Sequence, residues 1–304
     1  MERRDFFQRL LCASYAATLV PQSAAGNDAA TPDQQFPIAI FAKVFQSHTF
    51  AELAAVVAET NADGIEATIR GGGHIEPANA ESQVPEMVAA LAKRDKRLLI
   101  AATDINHVSS DSERLLKTLS DHGVTYYRTG YFKYRPGVPL LSQVRAFSRQ
   151  VNELAELNRT LGMTALYQNH AGKDYVGNLI WDLAILLDDV SPEHFGVALD
   201  LRHLRAEIGG SYQVAVEAIR PNLRTIYLKD TSRTGVDGSQ LKEVPLGTGM
   251  VTRDLFANAW RSMRPAPLAV HVEYLGQRPI AVSDQKQVVD AYRRDVATLR
   301  SWMA

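Results

Sequence analysis

Short apolar runs alternate with helix-period segments along nearly the whole chain, and polar residues gather where each run ends. Two copies of this unit stand out between Thr164 and Arg205. Ala165-Leu166-Tyr167 ends in Gln168-Asn169-His170, a helical segment follows, and Phe195-Gly196-Val197-Ala198-Leu199 ends in Asp200-Leu201-Arg202-His203. Runs without polar alternation fit strands covered on both faces. The first is Ile38 to Val44, before a helix that Thr49 can cap and that Phe50, Leu53, Val56 and Val57 line at helical spacing. Strands are expected to start at Ile38, Gly64, Arg97, Thr125, Thr164, Phe195, Leu223 and Leu268, each followed by a helix, among them a long one from Leu140 to Leu161. After Leu223 to Asp230 the stretch with Gly235 and Gly238 reads as a long loop. Alternating units of this kind, eight in number, predict an α/β chain folded as a (β/α)8 TIM barrel, a single domain over 37–304. A doubly wound open sheet is the alternative. It would normally carry a glycine-rich phosphate turn after its first strand, and Lys43 to His48 holds no glycine.

Composition adds bounds to this picture. Of 304 residues, 46% are hydrophobic and 22% charged, enough to bury a large core and without the mark of disorder. The formal net charge is −1, and outside the N-terminus no basic run exceeds Arg293-Arg294. Nucleic-acid surfaces need clustered Lys and Arg, so a small molecule is the expected partner. Arg3-Arg4-Asp5-Phe6-Phe7, the apolar stretch from Leu10 to Val20 and the small residues Ser23-Ala24-Ala25 read as a twin-arginine signal peptide over 1–25. A linker over 26–36 follows, and the destination is periplasmic or otherwise extracytoplasmic. The plain alternative is a fraying N-terminal helix. The apolar stretch is shorter than the roughly 20 residues that cross a bilayer, so no stable membrane span is expected. Cys12, the only cysteine, falls inside the signal, which leaves the exported chain without a thiol.

Ionisable and amide residues recur at the strand ends: Lys43, Glu66, Arg70, Asp104, Arg128, Gln168, His170, Asp200, Lys229, Asp230, His271 and Glu273. Any one of them reads as a hydrogen-bonded rim residue. Their common position points further, because the C-terminal mouth is where barrels of this kind place catalytic groups. Gly71-Gly72-Gly73 beside Arg70 and His74 reads either as a flexible turn or as a place where backbone approaches a polyol or phosphate.

From Ile38 to the C-terminal helix the chain resembles the xylose isomerase-like barrels grouped as sugar phosphate isomerases/epimerases. The resemblance rests on Tyr167-Gln168-Asn169-His170, Asp200-Leu201-Arg202-His203, Tyr227-Leu228-Lys229-Asp230 and His271-Val272-Glu273-Tyr274. Ile69-Arg70-Gly71-Gly72-Gly73-His74-Ile75-Glu76-Pro77 and Pro245-Leu246-Gly247-Thr248-Gly249 are similar to a subgroup often exported by the twin-arginine route. The family includes inosose dehydratases, ketose 3-epimerases and hydroxypyruvate isomerases. Its metal-dependent members hold a divalent ion on Glu, Asp, His and Glu from the fifth to eighth strands. Asp200 and Glu273 match the second and fourth of these, while Gln168 stands at the first and Tyr227 at the third. The resemblance thus implies Mn²⁺, Mg²⁺ or Co²⁺ on Asp200, Glu273 and Gln168, with weaker affinity for want of one carboxylate and one imidazole.

The implied activity is proton abstraction beside a carbonyl of a polyhydroxylated keto sugar, as in a sugar isomerase or epimerase. Such chemistry needs a base, an acid across the substrate and a group that stabilises an enediolate. Glu273 is the expected base, His170 or His203 its partner, and Lys229 or the metal the group that polarises the carbonyl. Lys43, Glu66, Arg70, His74, Arg202, Arg233 and His271 are expected to grip substrate oxygens. A lyase or dehydratase acting on a keto sugar or inosose shares the first proton abstraction and remains the alternative. A reading of another class is a non-catalytic carbohydrate-binding barrel, which Gln168 and Tyr227 favour and the opposed ionisable groups do not.

Overall fold

Strand-forming runs bounded by polar clusters fold here into ten strands among the described residues, which in this computed structural model are 36–304 apart from 237 and 262. The expected signal peptide, Cys12 and all but the last residue of the expected linker lie outside the described residues. In chain order the elements are β1 (Ile38–Phe41), α1 (Phe50–Glu59), β2 (Gly64–Thr68), α2 (Ala80–Ala92), β3 (Arg97–Ala102), α3 (Ser110–Asp121), β4 (Tyr126–Arg128), α4 (Leu140–Leu161) and β5 (Thr164–Gln168). There follow α5 (Trp181–Leu186), β6 (Phe195–Asp200), α6 (Leu201–Ile208), α7 (Tyr212–Ile219), β7 (Leu223–Leu228), β8 (Asp230–Thr234), β9 (Gln240–Val244), α8 (Arg253–Trp260), β10 (Leu268–Val270) and α9 (Gln285–Met303).

Eight of the strands pair in the closed order β1-β10-β7-β6-β5-β4-β3-β2, with parallel ladders throughout. The chain is therefore a single-domain TIM barrel, with seven barrel strands starting at the expected residue and β4 one residue later, at Tyr126 rather than Thr125. Ala39, Leu99, Leu166, Ala198, Tyr227 and Ala269 pack together in a core of their own, apart from the larger core that includes residues from strands and helices alike. Local capping fixes where helices begin and end. At α1 the Thr49 hydroxyl accepts from the Glu52 backbone N–H while the Glu52 carboxylate accepts from that of Thr49, which satisfies two amides the helix leaves unpaired. At the far end of α4, Gly162 takes φ = 65°, the left-handed turn that glycine closes at least cost. None of the described helices is long and apolar enough to cross a membrane.

Several boundaries differ from expectation, beginning with the first run, Ile38 to Val44, which is a strand only to Phe41 and continues as a 3-10 turn, Ala42–Phe45, that carries Lys43. The run from Thr125 to Tyr134 is a strand only as far as Arg128, which leaves Tyr131 in the loop above the mouth. The stretch after Leu228 is an antiparallel hairpin of β8 and β9, where a loop was expected. Asp230 organises the turn between this hairpin and α8: its carboxylate accepts from the backbone N–H groups of Thr231, Gly247, Gly249 and Val251. Gly249 has to be glycine, since a Cβ there would lie 2.4 Å from the Thr231 carbonyl oxygen.

Candidate active site

Strand ends at the C-terminal mouth carry a ring of side chains that closes on itself. Arg128 donates through Nε to Glu66 at 2.7 Å and through Nη1 to the Gln168 carbonyl oxygen at 2.9 Å. The Gln168 amide donates to Asp200 Oδ2 at 2.7 Å, and Lys229 Nζ lies 3.3 Å from that same oxygen. Lys229 also reaches both oxygens of Glu273, at 3.1 and 3.2 Å. His271 closes the circuit, with Nδ1 3.7 Å from Glu273 and Nε2 2.9 Å from Glu66. Six of the eight barrel strands contribute, directly or through the residues that follow them: β2, β4, β5, β6, β7 and β10.

Burial makes the ring's charges strongly interdependent. Glu66 and Asp200 have no exposure at all. Burial alone would push the Glu66 carboxyl up, but Arg128 and His271 outweigh it and hold the group below the usual carboxylate range. Burial likewise opposes the charge on Asp200, which the neighbouring His203 and Lys229 bring down to about 2. Glu273 falls far below its ordinary value, with Lys229 and His271 overcoming its burial. In turn the carboxylates overcome the desolvation of Lys229 and His271, and both pKa values rise. The ring is thus three carboxylates facing a guanidinium, an ammonium and the His271 imidazole, whose protonated form they favour, joined by the neutral amide of Gln168.

Above Asp200 stand two further imidazoles whose hydrogen bonds assign opposite tautomers. His170 Nδ1 lies 2.7 Å from the Ala171 carbonyl, which can only accept, so the proton is on Nδ1 and Nε2 keeps a lone pair. His203 Nδ1 lies 3.1 Å from Arg202 Nη1, which can only donate, so the proton of that ring is on Nε2. His203 Nε2 is buried without a hydrogen-bond partner, 3.6 Å from Asp200 Oδ2. The two rings sit 4.3 Å apart between centroids, with Tyr131 and Tyr175 beside His170. Burial lowers both pKa values, that of His203 strongly, so both rings are neutral at pH 7. A lone pair and an N–H donor therefore belong to two neighbouring rings, both within electrostatic reach of the buried Lys229 ammonium.

The remaining expected residues surround this centre at different depths. Lys43 and Arg70 are half-buried at the rim, and burial together with a neighbouring arginine lowers each pKa. Glu66 and His271 lie beneath the mouth with their polar atoms engaged in the ring. His74 turns into its own loop, where Nδ1 meets the Thr68 hydroxyl at 2.8 Å and burial lowers the ring to about 4. The glycine run supplies little free backbone: Gly72 N–H donates to Glu76 and Gly73 N–H to the Arg70 carbonyl. Arg202 pairs with Glu243 of β9, fastening the hairpin to α6. Arg233 is exposed on the hairpin and donates to the Gly238 carbonyl. Arg128 emerges as the residue that ties β2 to β5, and Tyr131, absent from the expected set, donates to Gln168 at 2.6 Å. Nothing in the spacing of Tyr131 marked it out.

The donor set does not fit a divalent metal. Gln168 directs its amide N–H at Asp200, and its one oxygen already accepts from Arg128 and Tyr131. Tyr227, in place of an imidazole, turns its hydroxyl to Glu66 at 3.4 Å. Asp200 and Glu273, the two matching carboxylates, share the Lys229 ammonium, so a dication would have to displace a cation that both already hold. Among the described residues no group of three or more His, Cys, Asp or Glu side chains is arranged to hold a metal ion.

A closed parallel barrel with ionisable groups at its C-terminal mouth defines the class, and comparison with known proteins gives the family. The Xylose isomerase-like TIM barrel family matches residues 54–293, and the chain belongs to it. No curated protein matches the chain. Solved structures share the fold at low identity. A Xylose isomerase-like TIM barrel protein from Mycobacterium smegmatis, in complex with magnesium, is 17% identical over 89% of this chain and 98% of its own, with a TM-score of 0.63. The 3-keto-D-glucoside 4-epimerase YcjR from E. coli is 16% identical over 88% of this chain and 100% of its own, with a TM-score of 0.62. The probable 3-DHS dehydratase AsbF from Bacillus anthracis is 15% identical over 86% of this chain and 98% of its own, also at 0.62. Epimerases and dehydratases thus share this scaffold.

Proposed function

We propose that the chain is a sugar isomerase or epimerase that moves a proton on the carbon beside a carbonyl of a polyhydroxylated substrate, with an ammonium at the place where metal-dependent relatives hold their ion. The observation that carries this reading is the pair of neutral imidazoles with opposite tautomers, both within electrostatic reach of Lys229. His170 Nε2 has the lone pair to take the proton from carbon. The electron pair left behind moves onto the carbonyl oxygen, where Lys229 Nζ and the His203 Nε2–H stabilise the enediolate. A neutral imidazole is a suitable donor to such an oxygen because its acidity lies nearer to that of the enediol. Return of the proton to the other face gives an epimer, and return to the neighbouring carbon an isomer. Loss of a β-hydroxyl from the same enediolate gives the lyase outcome. Glu273 is a weak base while Lys229 and His271 hold it ionised, so abstraction passes from Glu273 to His170, and Glu273 positions the ammonium. Lys43 and Arg70 at the rim are placed to hold substrate oxygens. The twin-arginine pattern supports export before the enzyme meets its substrate.

The test is solvent exchange. Purified protein in D₂O should place deuterium on the carbon beside the carbonyl of ketohexoses, followed by NMR. His170→Asn should lower the exchange rate by about 10²-fold or more, the scale of general-base catalysis, while Glu273→Gln lowers it less. The reverse ranking would return the base to Glu273. Sugar binding without exchange in any substrate would favour the non-catalytic barrel.

A further inference from the structure

The end of the barrel away from the mouth holds a second recess. A cavity of about 360 Å³ opens at the starts of β3 and β4 and at the turn before β10. That volume lies in the range of small-ligand pockets, about 300–1,000 Å³. Its apolar walls include Val88, Leu98, Leu99 and Pro267, its charged or titratable lining is Lys96, Arg97, His122 and Tyr126, and among the described residues no Asp or Glu lines it.

Behind one wall lies a cation without a counter-ion. Arg224, on β7, is only 7% exposed, and its Nη2 donates to the Tyr126 hydroxyl at 3.1 Å. Its Nε is buried with no hydrogen-bond partner, and no carboxylate among the described residues lies within ion-pair distance of it. The sequence makes room for this arrangement, since a Cβ on Gly196 would stand 2.1 Å from Arg224 Cγ. A guanidinium cannot shed its charge at ordinary pH, and burying an unpaired charge is costly. Tyr126 carries that charge to the cavity it lines. With its oxygen accepting from Arg224, it donates its own proton to the Pro265 carbonyl only at 3.5 Å, the long limit of a hydrogen bond, so a closer acceptor in the cavity can take it. An acceptor atom entering the cavity would meet this polarised hydroxyl, with Lys96 and Arg97 at the rim and apolar walls around the rest of the molecule.

We infer that this pocket, at the opposite end from the candidate active site, binds a small amphipathic anion, an oxyanion on a compact apolar body. The ligand's charge supplies the counter-ion that Arg224 lacks, and its apolar part covers Leu98, Leu99 and the prolines.

The experiment uses 8-anilinonaphthalene-1-sulfonate as probe, followed by its fluorescence, with N-phenyl-1-naphthylamine as the same skeleton without the charge. The full-length protein should bind the sulfonate at one saturable site, and the uncharged skeleton at least ~10-fold more weakly, the scale of a charge-assisted hydrogen bond. Ala92→Trp, at the cavity wall, should abolish that binding. Arg97→Gln, on the exposed rim, and Arg224→Met should each weaken the sulfonate and leave the neutral skeleton unchanged. The rim variant keeps the test valid if removal of Arg224 impairs folding. Equal affinity for both probes, or sulfonate binding that survives Ala92→Trp, overturns the inference. Binding that appears only after proteolytic removal of the residues before Phe36 also overturns it, because the acidic segment with Asp28 and Asp33 would then be the occupant.

Discussion

Lys229→Met takes away the ammonium that pairs with both Asp200 and Glu273 and keeps the length of the side chain. Asp200 has no exposure and Glu273 is largely covered, so neither carboxylate can recover its hydration where it stands. Removing one partner of a buried ion pair costs about 3–5 kcal/mol. The cost should depend on pH. In the wild type both carboxyls are depressed below their unfolded values of about 4, so they contribute stability that is present above pH ~4 and fades as pH falls through the folded values. Without the ammonium those values rise and most of the contribution at neutral pH goes, His271 remaining as the other group that lowers both. Urea unfolding should therefore show a gap of about 3–5 kcal/mol between wild type and variant at pH 7, narrowing below pH ~4. The freed carboxylates also give the variant a use for a dication. Mn²⁺ should raise its unfolding midpoint and leave that of the wild type unmoved. A wild type that Mn²⁺ stabilises as strongly as the variant would refute the reasoning that the ammonium stands in for the metal.

Three further outcomes rest on the same geometry and on the N-terminal pattern. Because burial lowers His170, and an abstracting base must be unprotonated, the acid limb of the kcat/KM profile should have its midpoint below pH 6.5; a midpoint above that value would remove His170 from the role. Asp230→Asn turns part of an acceptor for four backbone N–H groups into a donor, so it should cost about 1–3 kcal/mol in urea unfolding, and an unchanged midpoint would show that the turn holds without it. Replacing Arg3 and Arg4 together by Lys should keep the precursor in the cytoplasm, and periplasmic delivery of that variant would refute the twin-arginine reading.

The barrel was legible because its signal is repetitive. Apolar runs covered on both faces mark the strands whatever their tertiary partners, and polar residues at each end mark the mouth. The hairpin of β8 and β9 was not, because Asp230–Thr234 and Gln240–Val244 are mostly polar and leave no apolar alternation to read. Within the site, residue types were visible and pairings were not. Arg128 stood among the charged strand ends, yet its bond to Glu66 spans 62 residues and exists only once the barrel closes. The role of Lys229 turned on which oxygens it meets, and the tautomers of His170 and His203 on a carbonyl and a guanidinium at their Nδ1 atoms. Tyr131 was hidden because the aromatic run from Tyr126 looks like strand well past Arg128, where the ladder ends.

The closed ring also bears on how such a site changes over evolutionary time. Its three carboxylates are matched by Arg128, Lys229 and His271, whose protonated form they favour, and each member is buried or nearly so. Gln168→Glu alone adds an unmatched negative charge beside Asp200. Loss of Lys229 alone takes the ammonium from Asp200 and leaves Glu273 with His271 only, and Tyr227→His alone brings an imidazole with no ion to bind. Passage between an ammonium-held and a metal-held mouth therefore crosses intermediates less stable than either end, unless several substitutions arrive together or metal is abundant at the first step. A lineage that has settled on one form is held there by the same contacts that hold the strands in register.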